Sequence, residues 1–190
     1  MDFILEIENN LSPEKCEDII KRFEKDDRKF PGIILTKDLT RDYKKSIDLC
    51  ITGMEEWNDI DKYLYEKLKE GIIKYQNYIS DAIGSNSHFF NGLVDSGYQI
   101  QRTSRGDYYS WHHDAHMKSG RLFTYIWYLN TMDTCTDGGA TIFYGGRKIK
   151  PEQGKLLIFP ATWTYVHAGM PVIGDRTKYI CTGWLLQQSA

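Results

Sequence analysis

The chain has 190 residues, a formal net charge of -2, and 41% hydrophobic and 14% aromatic side chains. That length accommodates one domain with a sizeable core. The near-neutral charge gives no global electrostatic case for nucleic acid or an anionic membrane surface as partner.

In chain order, the start MDFILEIENN carries acid early and only a short apolar run, so it does not read as a signal peptide. Phe3–Ile7 alternates as a short strand. Ser12-Pro13-Glu14 then announces a helix, with a capping hydroxyl, a proline suited to the first turn and an acid at the positive end. Cys16, Ile19, Ile20 and Phe23 follow at helical spacing, which predicts an amphipathic helix from Ser12 to about Asp26. Arg28–Lys45 reads as loop plus a short strand around Ile33–Leu35. The charged stretch Asp26–Lys45 has the character of a lid, and the basic scatter Lys21–Lys29 and Arg41–Lys45 is balanced by acids as on a solvated surface. Asp48–Trp57 shows no readable period. From Asn58 to Ile83, apolar residues recur every three to four positions, which predicts a long helix with a break near Gly71.

Beyond Gly84-Ser85-Asn86 the pattern changes. Tyr98–Thr103, Tyr108–Asp114, Leu122–Leu129, Ala140–Tyr144, Lys155–Phe159, Trp163–His167 and Tyr179–Leu186 are short β-branched or aromatic runs. Tyr98, Tyr108, Trp111, Trp127 and Trp163 are expected as core or barrel-wall aromatics. Helices followed by about seven strands predict an α+β fold, a double-sheet jelly-roll barrel with N-terminal supporting helices. One domain over 1–190 is expected, with 1–86 as helical support and 87–190 as the catalytic barrel. The four cysteines, at 16, 50, 135 and 181 with no CxxC pair, give no zinc-ribbon or thioredoxin-type motif. No run approaches the roughly 18 apolar residues of a membrane span. A soluble, cytoplasmic protein without a membrane partner is the simplest expectation.

The chemistry concentrates in YYSWHHDA, Tyr108–Ala115. On a strand His112 and Asp114 share a face, because side chains alternate at period two. An imidazole from another strand would complete two nitrogens and one oxygen on one side of a metal, the facial triad of non-haem Fe(II) oxygenases. His167, after the strand-like Trp163–Val166 and before a turn at Ala168–Val172, can supply it. His113 has the opposite parity, while His116 keeps the parity but follows the carboxylate. Two cations, Arg176 and Lys178, open the final strand. A buried cation there suits the far carboxylate of a dicarboxylate cosubstrate, because a buried charge needs a partner.

His112-x-Asp114, His167 with basic residues nine and eleven positions on, Tyr128-Leu129-Asn130 and Asp137-Gly138-Gly139-Ala140-Thr141 together resemble the prolyl 4-hydroxylase group of 2-oxoglutarate/Fe(II) dioxygenases. The resemblance covers roughly Tyr98 to Leu186. It implies a double-stranded β-helix of the cupin type, with iron held by His112, Asp114 and His167. It places the cosubstrate carboxylate on Lys178, six residues before Trp184, with Arg176 as the alternative and the Tyr128 hydroxyl as a second contact. Tyr109 falls on the substrate side, and Trp184 and Arg105, the latter in the loop bordering the mouth, are further substrate-side candidates. Where the family often carries tyrosine, nine residues before the first histidine, this chain has Thr103. The implied cofactors are Fe(II), 2-oxoglutarate and O2, with ascorbate as an accessory reductant.

The implied activity is hydroxylation of a peptide or protein residue, proline first, with release of succinate and CO2. Two other functions compete. One is the same chemistry on a small molecule or free amino acid; the other is a non-catalytic, cupin-like metal-binding module.

Overall fold

The computed structural model describes residues 2–32, 43–84, 90–115 and 120–187. Strand β1 is Leu5–Ile7, and helix α1 is Pro13–Lys25, opened by the Ser12 hydroxyl accepting the Lys15 N–H. The short strands β2, Phe30–Pro31, and β3, Ile47–Cys50, pair antiparallel. The strand expected around Ile33–Leu35 and most of the expected lid lie outside the described residues. Helix α2, Asn58–Ile83, is entered through a 3-10 turn at Glu55–Trp57 and ends at Gly84 in the left-handed region, φ 68°.

The expected break at Gly71 is absent: α2 runs continuously through it. The glycine is there for packing. A Cβ at Gly71 would sit 2.4 Å from Leu156 Cδ2, so its absence lets the helix lie close against the sheet.

The remaining strands are β4 Leu93–Asp95, β5 Gln99–Thr103, β6 Tyr109–His112, β7 Arg121–Tyr128, β8 Thr141–Phe143, β9 Lys148–Ile149, β10 Leu156–Pro160, β11 His167–Gly169 and β12 Lys178–Gln187. They form two antiparallel sheets. The large one runs β1-β10-β7-β12-β5-β3-β2, with β4 also on β12, and the small one runs β6-β11-β8-β9. One correction concerns Trp163–Val166, which is a turn closed by Tyr165 N–H to the Thr162 carbonyl, while the strand is His167–Gly169. Aromatic and β-branched composition reads as strand locally, but after Pro160 the chain must cross the barrel rim. Trp163 is accordingly 72% exposed and not a core residue.

Both helices pack on the outer face of the large sheet. Phe23, Leu64 and Tyr75 meet Ile100, Trp127 and Cys181 there in one buried cluster, and each large side chain so buried contributes roughly 1.5–3 kcal/mol. This leaves the inner face free to line a cavity of about 640 Å³ between the two sheets.

Candidate metal centre and active site

Strands β6 and β11 are antiparallel neighbours, and His167 stands directly opposite His112 in their register. Opposed residues of neighbouring strands present their side chains to the same face. The two imidazoles therefore lie side by side, with ring centroids 4.2 Å apart. Asp114, two residues beyond His112, returns to that face: its Oδ1 is 3.8 Å from His112 Nε2 and its Oδ2 is 3.7 Å from His167 Nε2. All three ligand atoms lie within 4.8 Å of one another, and no other such group occurs among the described residues.

The protonation pattern suits a metal. His112 Nδ1 lies 2.7 Å from the Ser110 carbonyl and His167 Nδ1 lies 3.0 Å from that of Tyr165. A carbonyl can only accept, so each Nδ1 carries the proton and each Nε2 lone pair is left for a ligand. Burial, reinforced by His167, pulls the His112 imidazole down to about 4 and keeps it neutral. Burial alone would raise the Asp114 carboxyl, but His167, His112 and the Thr124 hydroxyl together hold it below its ordinary value. Thr124 Oγ1 donates to Asp114 Oδ2 at 2.7 Å and fixes its rotamer. Two imidazoles and one carboxylate sharing a face are the donor set that Fe(II) takes in a facial triad.

Lys178 sits opposite Thr103 in the β5–β12 register, is 5% exposed and lines the cavity. Among the described residues it has no hydrogen-bond or ion-pair partner, and burial pulls its ammonium down to about 8. Two contacts fix it. Asn130 bridges its chain neighbours, donating to the Thr177 carbonyl and accepting the Tyr179 N–H, both at 2.8 Å. At Gly139, φ 72°, a Cβ would come within 3.3 Å of the Lys178 stem, so this glycine lets the backbone lie against the lysine. Tyr128 is wholly buried; its ring centroid is 5.8 Å from Lys178 Nζ, and its hydroxyl donates to Thr141 Oγ1 at 2.7 Å.

The other sequence candidates are placed differently. Arg176 pairs with Asp137 at 3.2 Å and Arg105 with Asp175 at 3.0 Å, both largely exposed and outside the cavity lining. Tyr109 stacks on the His112 ring with centroids 3.6 Å apart. Trp184 lines the cavity and carries the Arg121 guanidinium on its face, 3.5 Å from the centroid. His113 is exposed and outside the triad, and His116 lies outside the described residues.

Sequence reasoning missed one wall of the cavity. Lys44, read as solvated surface, is 6% exposed; it donates to Asp48 Oδ2 at 2.6 Å and lies 5.3 Å from the Tyr109 ring centroid. Ser46 donates to the other Asp48 oxygen, and Gln99 and Gln101 continue the same wall. The available signal was the alternation Lys44-x-Ser46-x-Asp48. It marks one strand face, though polarity on that face reads as solvent unless the inside of the barrel is wet.

Residues 98–186 match the sequence profile of the 2OG-Fe(II) oxygenase superfamily. No curated protein matches the chain in sequence. Among solved structures the chain is similar to a viral collagen prolyl hydroxylase from Paramecium bursaria Chlorella virus-1, in its 2OG complex. Identity is 22%, covering 98% of this chain and 97% of that one, with a TM-score of 0.71. It is similar as well to a prolyl hydroxylase from Trichoplax adhaerens in complex with a hypoxia inducible factor oxygen degradation domain peptide fragment. There identity is 18%, covering 98% of this chain and 84% of that one, with a TM-score of 0.79. A third is a Pseudomonas putida prolyl-4-hydroxylase, at 18% identity, 100% and 95% coverage and a TM-score of 0.70. These likenesses give the fold, the double-stranded β-helix expected from the sequence.

Proposed function

We propose that the chain, whose residues 98–186 match the 2OG-Fe(II) oxygenase profile, is such an oxygenase and hydroxylates a residue within a peptide or protein, proline first, with release of succinate and CO2. His112, Asp114 and His167 would hold the iron. Bound iron, 2-oxoglutarate and O2 supply an oxidative decarboxylation coupled to insertion of one oxygen atom into a substrate C–H bond.

The observation that carries the cosubstrate assignment is the unpartnered, buried Lys178. An ammonium in that position is costly unless an anion meets it, and the far carboxylate of a dicarboxylate supplies one. Arg176 already has Asp137, which favours Lys178 for the role. Thr141 receives its hydrogen bond from Tyr128 and so keeps its own O–H free to donate into the cavity. Ile126 and Ile180 line the cavity beside Lys178 and exclude water there.

A peptide substrate is favoured by the mouth. Trp111 and Tyr43 line the cavity yet are 48% and 42% exposed. Open aromatic surface at a cavity edge suits an extended, proline-containing chain, whose polyproline II form is already ordered before binding. The peptide held by the Trichoplax adhaerens enzyme supports the same reading. Succinate release screened against a proline-containing peptide library and a metabolite panel tests it. Coupled turnover is expected with peptides; turnover with free metabolites alone would exclude the peptide assignment.

A further inference from the structure

The inner face of the large sheet divides into two halves of different chemistry. On β7 and β12 it presents Ile126, Ile180 and Lys178, assigned above to the cosubstrate. On β5 the lining residues are Gln99, Gln101 and Thr103, and across the register Gln101 faces Asp48 while Gln99 faces Cys50. Asp48 is already satisfied by Lys44 and Ser46. The glutamines are not. Gln101, 8% exposed, donates through Nε2 to Gln99 Oε1 at 2.6 Å. Gln99 Nε2 has only the Cys50 sulfur at 3.5 Å, a weak acceptor, and Gln101 Oε1 has no donor among the described residues. One amide–amide bond uses one N–H and one carbonyl. Whichever way the two amides are turned, one carbonyl and one NH2 remain for a visitor.

We propose that the Gln99–Gln101 pair is a specificity-determining element that grips the main-chain N–H and C=O of one substrate residue beside the one hydroxylated, two groups that point to the same side of an extended chain. The free carbonyl accepts the substrate N–H and the free amide donates to its C=O. The cosubstrate does not fit here: a dicarboxylate offers only acceptors, and Gln101 Oε1 would face one of them with no proton between. The proposal rests on the peptide assignment and adds how a peptide is told from a free amino acid, which lacks a flanking peptide group.

The test uses the intact protein with the best proline-containing peptide from the library, and the same peptide with the flanking amide replaced by an ester. For the wild type the ester should cost about 3- to 10-fold in kcat/KM, the worth of one neutral hydrogen bond. In Gln101→Leu the peptide should lose a similar factor and the ester little more, whereas Gln99→Leu, which removes the donor to a carbonyl that the ester keeps, should cost both substrates. KM for 2-oxoglutarate should stay at the wild-type value. Equal turnover of amide and ester by the wild type overturns the proposal and leaves the peptide assignment standing, and needs no variant to fold. A rise in the 2-oxoglutarate KM of Gln101→Leu instead assigns the pair to the cosubstrate and also overturns it. Turnover of free amino acids with no peptide turned over removes the peptide assignment and this proposal together.

Discussion

Lys178 holds its charge where burial brings the ammonium down to about 8, and that has two pH consequences of opposite sign. Above about pH 8 the free protein sheds this proton, so the KM for 2-oxoglutarate should rise as pH passes through 8. Between about 8 and the ordinary lysine value of 10.5 the unfolded chain binds more protons at this position than the folded one. This group's contribution to stability therefore increases with pH over the same window. Lys178→Ala should raise the 2-oxoglutarate KM by about 30-fold or more, as loss of one side of a buried charge pair does. Arg176→Ala, at a solvated pair, should change it by less than about 2-fold. The reverse ranking in steady-state kinetics would move the anchor to Arg176. Asp114→Ala should abolish the visible metal-to-ligand charge-transfer band formed anaerobically with Fe(II) and 2-oxoglutarate; an unchanged band would remove Asp114 from the iron. At this scale the triad was legible because parity and spacing survive in a one-dimensional string. Lys44 and Gln101 were not, since an alternating polar residue on a strand looks the same whether it faces bulk water or a polar cavity.

Elements set the limits on how far those side chains can be trusted to stay put. Asn130, at the end of β7, ties the carbonyl before Lys178 and the N–H after it. Asn130→Ala should therefore raise the 2-oxoglutarate KM severalfold and lower the melting temperature. A loss of stability with an unchanged KM would show that Asn130 only supports the fold. In the middle of β12, a Cβ at Gly183 would lie 2.2 Å from the Tyr125 hydroxyl and 2.4 Å from the Gly97 carbonyl, which are themselves bonded at 2.8 Å. The carbonyl is backbone and cannot swing away. Gly183→Ala should cost about 2 kcal/mol, or about 4–8 °C in melting temperature for a chain of this size, measured by calorimetry. Neither glycine effect was readable from sequence. Gly71 looked like a helix break and nothing near Gly183 marked it out, because propensity is local while the reason for each residue is a neighbour far along the chain.

For the whole molecule, a first part holding both helices and a second part made mostly of strands were legible from the switch between periods of 3.6 and 2, and the α+β class followed from it. Sheet order was not. The placement of β1 beside β10, and of β3 beyond β5, joins residues about fifty or more positions apart, and no local pattern encodes which strand edges meet. That nonlocal arrangement puts both helices on one outer face and leaves the inner face to chemistry. No helix among the described residues is long and apolar enough to cross a membrane.

The depth of Lys178 dictates a queue. It is 5% exposed at the inner end of the cavity, whereas Trp111 and Tyr43 at the mouth are 48% and 42% exposed. A dicarboxylate seated on that lysine has to enter before a chain lies across the opening, and what remains of it can depart only once the chain has lifted. Excess peptide with scarce 2-oxoglutarate should then throttle turnover, with the peptide acting as a stopper in the doorway that its partner needs.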